Sequence, residues 1–308
     1  MDTFQSASNA KIILIGEHSV VYGEPAIAMP IKNIQTRVQV EPIAGPIWIE
    51  SRYYSGTILS EQANNLSGIF RLIEACFQQL NRPLQNVKIT INSDIPSERG
   101  MGSSASTAVA IVRGIFGYYN QSLNQATLTQ LTNISESVIH GNPSGLDVAA
   151  TSSSLPIWYQ KKRELSYFHS NLNGYLVIAD SGVKGKTDEA VSRVRLKVSQ
   201  NAEALQRIKH LSSLTHDART AIELNQIDDL GLIFNEAHQD LKYLGVSDPS
   251  VETLIKTANR HGALGSKLTG GGLGGCIIAL SATKNTAENL RSALLNSGAT
   301  EAWIERFG

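Results

Sequence analysis

Asp94-Ile-Pro-Ser-Glu-Arg-Gly-Met-Gly-Ser-Ser-Ala105 decides how this chain is read. The β-branched run Val87 to Ile91 comes just before it, and the small, apolar stretch Ser106 to Phe116 follows. The order is strand, glycine-rich loop, helix. Gly100 and Gly102 permit backbone angles that a side chain forbids, and they let the backbone approach a ligand closely. Ser103 and Ser104 fall where a helix starts, so hydroxyls and unpaired N–H groups share one space. That arrangement suits an anion, and phosphate is the usual one. The Gly-Lys-Ser/Thr ending of a Walker A loop is missing. So is the third glycine of a dinucleotide fingerprint. Taken alone, the stretch also reads as an ordinary loop with an N-cap serine.

Composition narrows the classes. The chain has 308 residues, enough for one large or two medium domains with a real core. Its 27 basic and 27 acidic residues give a formal net charge of 0, so no basic field exists to hold a nucleic acid. Charged residues make up 18% and apolar residues 42%, the balance of a globular protein. Two cysteines, Cys76 and Cys276, make neither a disulfide framework nor a metal cluster, and each reads as a small buried hydrophobe. The stretch Met-Asp-Thr-Phe-Gln-Ser does not read as a signal peptide, so none is expected, and no apolar run reaches the roughly 18 residues of a membrane span. A soluble, cytoplasmic protein is expected, without nucleic acid or membrane partners.

Outward from the loop, the N-terminal part reads as strands. Ser8 to Ile15 is an apolar strand followed by the turn Gly16 to Gly23. Pro25 to Met29 resumes an apolar run, and Gln35 to Glu41 alternates as a half-exposed strand. Ile47 to Tyr54 reads as another strand, with a hairpin turn at Ala44-Gly-Pro46. The spacing of Leu66, Ile69, Phe70, Ile73, Phe77 and Leu80 predicts a helix over 65–80. The helix after the loop runs to about Tyr119 and is buried between layers. A third helix spans 124–138 and ends at the rigid turn His140-Gly-Asn-Pro-Ser-Gly-Leu-Asp147. Val148 to Ser154 opens a further short helix. Polarity rises over 160–172, which places a domain boundary there, giving domains 1–165 and 166–308. Gly174 to Asp180 reads as a buried strand. Helical patterns follow over 192–211, over 217–245 as one or two helices, and over 250–261. The glycine-rich stretch Gly265 to Gly275 leads into the strand Cys276 to Leu280. A helix over 285–296 and a strand over 299–307 end the chain.

Three of these stretches resemble the three signature motifs of the GHMP small-molecule kinases, the superfamily named for galactokinase, homoserine kinase, mevalonate kinase and phosphomevalonate kinase. They are Lys11-Ile-Ile-Leu-Ile-Gly-Glu-His-Ser-Val-Val-Tyr-Gly23, Pro96-Ser-Glu-Arg-Gly-Met-Gly-Ser-Ser-Ala105 and Lys267-Leu-Thr-Gly-Gly-Gly-Leu-Gly-Gly-Cys276. Within the superfamily the likeness is greatest to the mevalonate kinase branch. The form Gly-Glu-His-Ser-Val-Val-Tyr-Gly carries that likeness, and so does Glu136-Ser-Val-Ile-His-Gly-Asn-Pro-Ser-Gly-Leu-Asp147. The third motif departs from the common Gly-Ala-Gly-Gly-Gly-Gly at Gly271 and Leu273, and Leu273 puts a bulky side chain where a hydrogen is usual.

The resemblance implies a two-domain α+β fold: an N-terminal α/β domain of the ribosomal protein S5 domain 2-like type, a C-terminal ferredoxin-like domain, and the active site between them. It implies ATP and Mg²⁺ as cofactors, mevalonate as the small-molecule substrate and a homodimer. Phosphoryl transfer needs the acceptor hydroxyl held in line and its proton accepted or shared. By resemblance Asp147 is the catalytic aspartate and Lys11 its partner, stabilising developing negative charge. Read alone, Asp147 equally caps the next helix, and Lys11 is a lysine snorkelling at a strand end. Ser104 and Glu136 would hold Mg²⁺, while Gly100, Gly102, Ser103, Ala105 and the amides near them would cradle the phosphates. His18 and Glu17, with Ser144, Thr269 and Gly270, would form the acceptor side: His18 bonding mevalonate, Glu17 orienting, Thr269 meeting the carboxylate. Arg99 either lines the phosphate entrance or faces solvent. Lys184 and Lys186 belong to a loop that meets an anion or is merely solvated. A phosphomevalonate, homoserine or sugar kinase is the alternative, as is a non-catalytic ATP-binding descendant.

Overall fold

The structure, a computed structural model, describes residues 2–58, 66–141 and 144–307. The start of the expected helix at Asn65, and Asn142 and Pro143 of the turn before Asp147, lie outside the described residues. The chain folds as two compact units that interleave in sequence. One holds Met1–Lys11, Pro30–Ser97 and Gly102–Ser154; the other holds Ile12–Met29, Glu98–Met101 and Leu155–Gly308. Strands β1 (Phe4–Ile15) and β2 (Ala26–Pro46) contribute residues to both.

In the first unit, β3 (Trp48–Ser51) pairs antiparallel with β4 (Tyr54–Thr57) and parallel with β5 (Gln85–Ser93). β5 in turn pairs antiparallel with β2, from Thr36↔Ser93 onward. The hairpin expected at Ala44-Gly-Pro46 is therefore not formed. The register of β2 against β5 shifts between Pro42 and Pro46, and Gly45 N donates to Asn86 Oδ1 at 3.1 Å. The register shift makes a bulge, and the chain then reverses: β2 runs antiparallel and β3 parallel to β5, so the two strands flank β5 instead of pairing with each other. The helices are α1 (Ser67–Gln79), α2 (Ser103–Tyr118), α3 (Gln125–His140) and α4 (Leu146–Ser152). α2 is buried almost all round, through Ala105, Ala108, Val109, Ile111, Val112 and Ile115, as its sparse polarity demands. Its residues join Val38, Val40, Ile49, Phe77, Val87 and Ile89 in one apolar cluster.

The second unit carries β6 (Ile157–Tyr159) and β7 (Ser166–Tyr167), with Ala26–Ala28 of β2 pairing to β6. Its larger sheet is antiparallel in the order β11-β8-β10-β9, from β8 (Tyr175–Asp180), β9 (Gly265–Thr269), β10 (Cys276–Ser281) and β11 (Glu301–Arg306). The helices are α5 (Thr187–Gln200), α6 (Ala202–Glu223), α7 (Ile227–Tyr243), α8 (Pro249–Arg260) and α9 (Lys284–Asn296). The helical pattern expected over 192–211 divides at Asn201, whose side chain caps α6 by accepting from Glu203 N at 2.8 Å. α7, α8 and α9 lie against the sheet. A Cβ on Gly265 would fall 1.9 Å from Gly231 O, so α7 reaches β9 only because both positions are glycine. Both cysteines are free and buried. Among the described residues no helix is long and apolar enough to cross a membrane.

Candidate functional site

In the first unit Lys11, on β1, meets Asp147, in the first turn of α4. Lys11 Nζ lies 3.1 Å from Asp147 Oδ1, with the lysine side chain 7% exposed and the carboxylate 41% exposed. Asp147 makes no helix cap, because the N-cap position belongs to Gly145 at φ 75°. A nearly buried cation thus holds one end of a carboxylate whose other side stays open. Gly102, at φ 73°, starts α2 beside them. A Cβ there would lie 2.8 Å from Lys11 Cγ and 3.1 Å from Thr151 Cγ2, so the glycine admits the lysine stem. Ser103 and Ser104 are the first helical residues and cap nothing. Ser104 Oγ donates instead to Glu136 Oε1, on α3, at 2.5 Å. Glu136 is 2% exposed, far from the solvated carboxylate that a helix glutamate usually is.

The hydroxyl and carboxylate of Ser104 and Glu136 are hard oxygens on two rigid helices. Among the described residues no three His, Cys, Asp or Glu side chains gather as a metal cage. A serine and one carboxylate still fit Mg²⁺, which takes few protein ligands and completes its shell with phosphates and water. Ala105 is buried behind them, and Ser144 is exposed, its Oγ accepting from Leu146 N at 3.3 Å.

The other site residues gather in the second unit. Glu17 and Lys267 form a buried ion pair, and Lys267 Nζ also donates to Leu268 O at 2.7 Å. Burial pushes the Glu17 carboxyl up and the Lys267 ammonium down, and each partner opposes that shift in the other. Next in chain, His18 adopts φ 63°, and its ring Nε2 lies 2.9 Å from Gly271 O. A carbonyl only accepts, so Nε2 carries the proton and Nδ1 is left as an acceptor. Burial, with a smaller contribution from Lys267, holds the His18 pKa below its ordinary value. Thr269 Oγ1 donates to Ile13 O at 2.7 Å, so its proton is already used. Gly270 faces Gly100, each short of a Cβ that would stand about 3.8 or 3.9 Å from the other's Cα. Leu273 takes φ 53° in a row of left-handed glycines, and its N–H donates to Val246 O at 2.7 Å.

Lys267 was legible only as the first letter of the third motif; neither its burial nor its partner was expected. In sequence Asp180 reads only as the end of a strand, and it is the last residue of β8. It takes the guanidinium of Arg99 at 2.9 Å, so Arg99 is not a solvent-facing residue. Lys184 pairs with Glu98, and Lys186 lies 3.3 Å from Glu189.

Residues 67–154 match the family described as GHMP kinases N terminal domain, and residues 218–300 match GHMP kinases C terminal. A mevalonate kinase of Thermococcus sibiricus is 31% identical over 303 residues, covering 91% of this chain and 90% of the relative. The crystal structure of mevalonate kinase from Staphylococcus aureus MRSA252 is 32% identical with a TM-score of 0.79, covering 100% of both chains. The Streptococcus pneumoniae phosphomevalonate kinase solved with phosphomevalonate and AMPPNP shares the fold, at TM-score 0.80 and 18% identity, with 98% and 99% of the chains covered. With models for both domains matched and full-length relatives above 30% identity, the chain belongs to the GHMP kinase family and has its two-domain α+β fold.

Proposed function

We propose that this GHMP kinase is a mevalonate kinase, moving the γ-phosphoryl group of ATP to the C5 hydroxyl of (R)-mevalonate and releasing ADP and 5-phosphomevalonate. The observation that carries the reading is the 3.1 Å contact of Lys11 Nζ with Asp147 Oδ1, one partner buried and the other open. Catalysis of phosphoryl transfer is mostly positioning and charge stabilisation. The Asp147 carboxylate accepts the acceptor hydroxyl's proton, and the Lys11 ammonium stabilises the negative charge that develops on that oxygen. No phosphoenzyme is required, since the hydroxyl attacks directly.

Ser104 and Glu136 would hold Mg²⁺, and the backbone from Gly100 through Gly102, Ser103 and Ala105 would cradle the phosphates. When bound, the metal neutralises charge on the β and γ phosphates. His18 would offer Nδ1 to an acceptor hydroxyl, with Glu17 orienting it, and Ser144, Thr269 and Gly270 would complete the acceptor side. The narrowing from GHMP kinase to mevalonate is supported by the full-length relatives named mevalonate kinases. The homodimer expected from the resemblance is checked by light scattering in solution.

The test is ADP release with Mg-ATP against mevalonate, phosphomevalonate, homoserine and galactose. Strong selectivity for mevalonate is expected. Turnover of another member of the panel overturns the substrate and keeps the Lys11–Asp147 chemistry. Nucleotide binding without turnover of any acceptor points to a binding protein instead.

A further inference from the structure

Glu98 and Arg99, the charged residues ahead of the loop glycines, have no part in the chemistry above, yet both are engaged. Arg99 Nε lies 2.9 Å from the Asp180 carboxylate, and Nη2 donates to Gly182 O at 3.2 Å. The side chains are 15% and 5% exposed, so the pair is screened from water. Asp180 is a fixed anchor. Its Oδ1 also accepts from Gly182 N at 2.9 Å, and its backbone carbonyl accepts from Thr300 N at 2.9 Å. One residue earlier, the Glu98 carboxylate pairs with Lys184. Neighbouring charges on the loop thus reach the segment that follows β8.

The loop backbone needs such ties. Glu98, Gly100 and Gly102 have φ of 60°, 78° and 73°. Left-handed residues interleaved with ordinary ones turn successive N–H groups toward one concavity, which favours an anion there. Glu98 is not a glycine and adopts that region against its preference. Arg99 Nη1 is buried with no hydrogen-bond partner among the described residues, so the guanidinium is not placed to satisfy all its own donors. Its position serves the Asp180–Gly182 contact.

We infer that Arg99 and Asp180 form a latch that fixes the shape of the Gly100–Gly102 backbone, making Arg99 a positioning residue for the nucleotide. The inference rests on the reading of that backbone as the phosphate cradle. The Arg99 side chain bonds Asp180 and Gly182 O and none of the residues assigned to the acceptor side, so it acts on the loop, which separates it from a general stabilising role. Cutting the latch weakens the nucleotide and spares the acceptor.

The experiment is calorimetric binding of MgADP to the full chain, with steady-state KM for both substrates and a thermal melt, for wild type, Arg99→Met, Arg99→Lys, Asp180→Asn and Arg99→Met/Asp180→Asn. Arg99→Met is expected to weaken MgADP about tenfold while the acceptor KM stays within about twofold, since loosening a positioning element can cost up to about a hundredfold. Asp180→Asn should give a loss of the same order. The double variant should be no weaker than the weaker single one, because both substitutions cut the same tie. Arg99→Lys should recover part of the loss. Wild-type MgADP affinity in Arg99→Met overturns the latch, and so do additive losses in the double variant. Arg99→Met leaves Asp180 buried and unpaired. If that variant does not fold, the double variant, neutral at both positions, is decisive, and wild-type affinity there overturns the latch. Failure of the wild type itself to bind MgADP refutes the cradle, a different outcome from failure of the latch alone.

Discussion

Lys267→Met removes the cation from the most enclosed ion pair among the described residues of the second unit while keeping most of the side-chain volume. Lys267 and Glu17 are 0% and 1% exposed at the side chain, so water cannot take over the lysine's role. Among the described residues Glu17 Oε2 is buried without a hydrogen bond, and besides Lys267 only the backbone groups of Glu17 and Gly270 favour the charged carboxylate. Breaking a buried pair by deleting one partner costs about 3–5 kcal/mol, chiefly because the surviving charge is stranded. Midpoint shifts run at about 2–4 °C per kcal/mol for chains of roughly 150–250 residues, and at the lower end for longer ones. For 308 residues the expected fall in Tm is therefore roughly 6–10 °C. Glu17→Gln/Lys267→Met leaves no charge behind and should regain at least about half of that loss. Calorimetric or circular-dichroism melts of wild type, both single variants and the double variant give the full cycle. A Lys267→Met midpoint within about 2 °C of wild type would refute the reasoning, since the stranded-charge cost would be absent. Strictly additive single effects would refute it equally, because they would mean that the two groups do not interact.

Further outcomes follow from the same geometry. Asp147→Asn keeps the shape but cannot accept a proton, so kcat should fall by about 10²–10⁴ with MgADP affinity intact; near-normal turnover in a folded variant excludes the proposed role. Gly102→Ala must place a Cβ 2.8 Å from Lys11 Cγ at φ 73°. It should lose roughly 1–2 kcal/mol from the left-handed backbone alone, and more than tenfold in kcat through the displaced lysine; a wild-type kcat would show that the lysine stem needs no such space. Burial holds His18 and His238 below their ordinary pKa of 6.5, with Glu252, Lys267 and Lys242 also facing His238. The unfolded chain then takes up those protons first, so stability is full above 6.5 and falls as pH drops through that value toward the folded pKa values. Urea midpoints measured down to about pH 5 should show this fall, shallower in His18→Asn/His238→Gln; equal slopes in both proteins remove the histidines as its cause.

Most helices were legible because one face repels water and the other does not. The run from Leu66 to Leu80 carries that signal in full, whereas the stretch after Ser104 is legible by its lack of polar side chains, as a helix buried almost all round. The strands were less so. β2 is a single strand of 21 residues, yet Pro30 and Lys32-Asn33 interrupt its pattern and divide it in two on reading. The missing N–H of Pro30 does no harm to the pairings with β6 and β5, because it falls between Ala26–Ala28, which meet β6, and Thr36–Pro46, which meet β5. The turn-like Ala44-Gly-Pro46 does precede a reversal, yet no hairpin forms, because β5 pairs between β2 and β3, a choice made by residues beyond the local window.

The candidate site shows a sharper limit. Lys11, Ser104, Glu136 and Asp147 were all picked out, and the first unit pairs Lys11 with Asp147 and Ser104 with Glu136. They were found through motifs, since nothing in the period of the chain marks them. Lys267 stands at the centre of β9, a strand buried throughout, where a lysine argues against a strand at all. Its partner Glu17 lies 250 residues away. Periodicity records how single side chains divide between core and water. Two opposite charges that bury each other leave no such record, because each alone looks like a solvated residue in a turn or at a strand end. The pattern becomes readable only when Gly16-Glu17-His18 and Lys267-Leu-Thr269 are considered as one object. The structure gives three ties between the wider stretches 13–18 and 267–271: Lys267 to Glu17, the His18 ring to Gly271 O, and the Thr269 hydroxyl to Ile13 O. A turn held at Glu17 and His18 is preorganised, and under the proposed reading, which puts both residues on the acceptor side, this would give the buried pair a role in function as well as in stability.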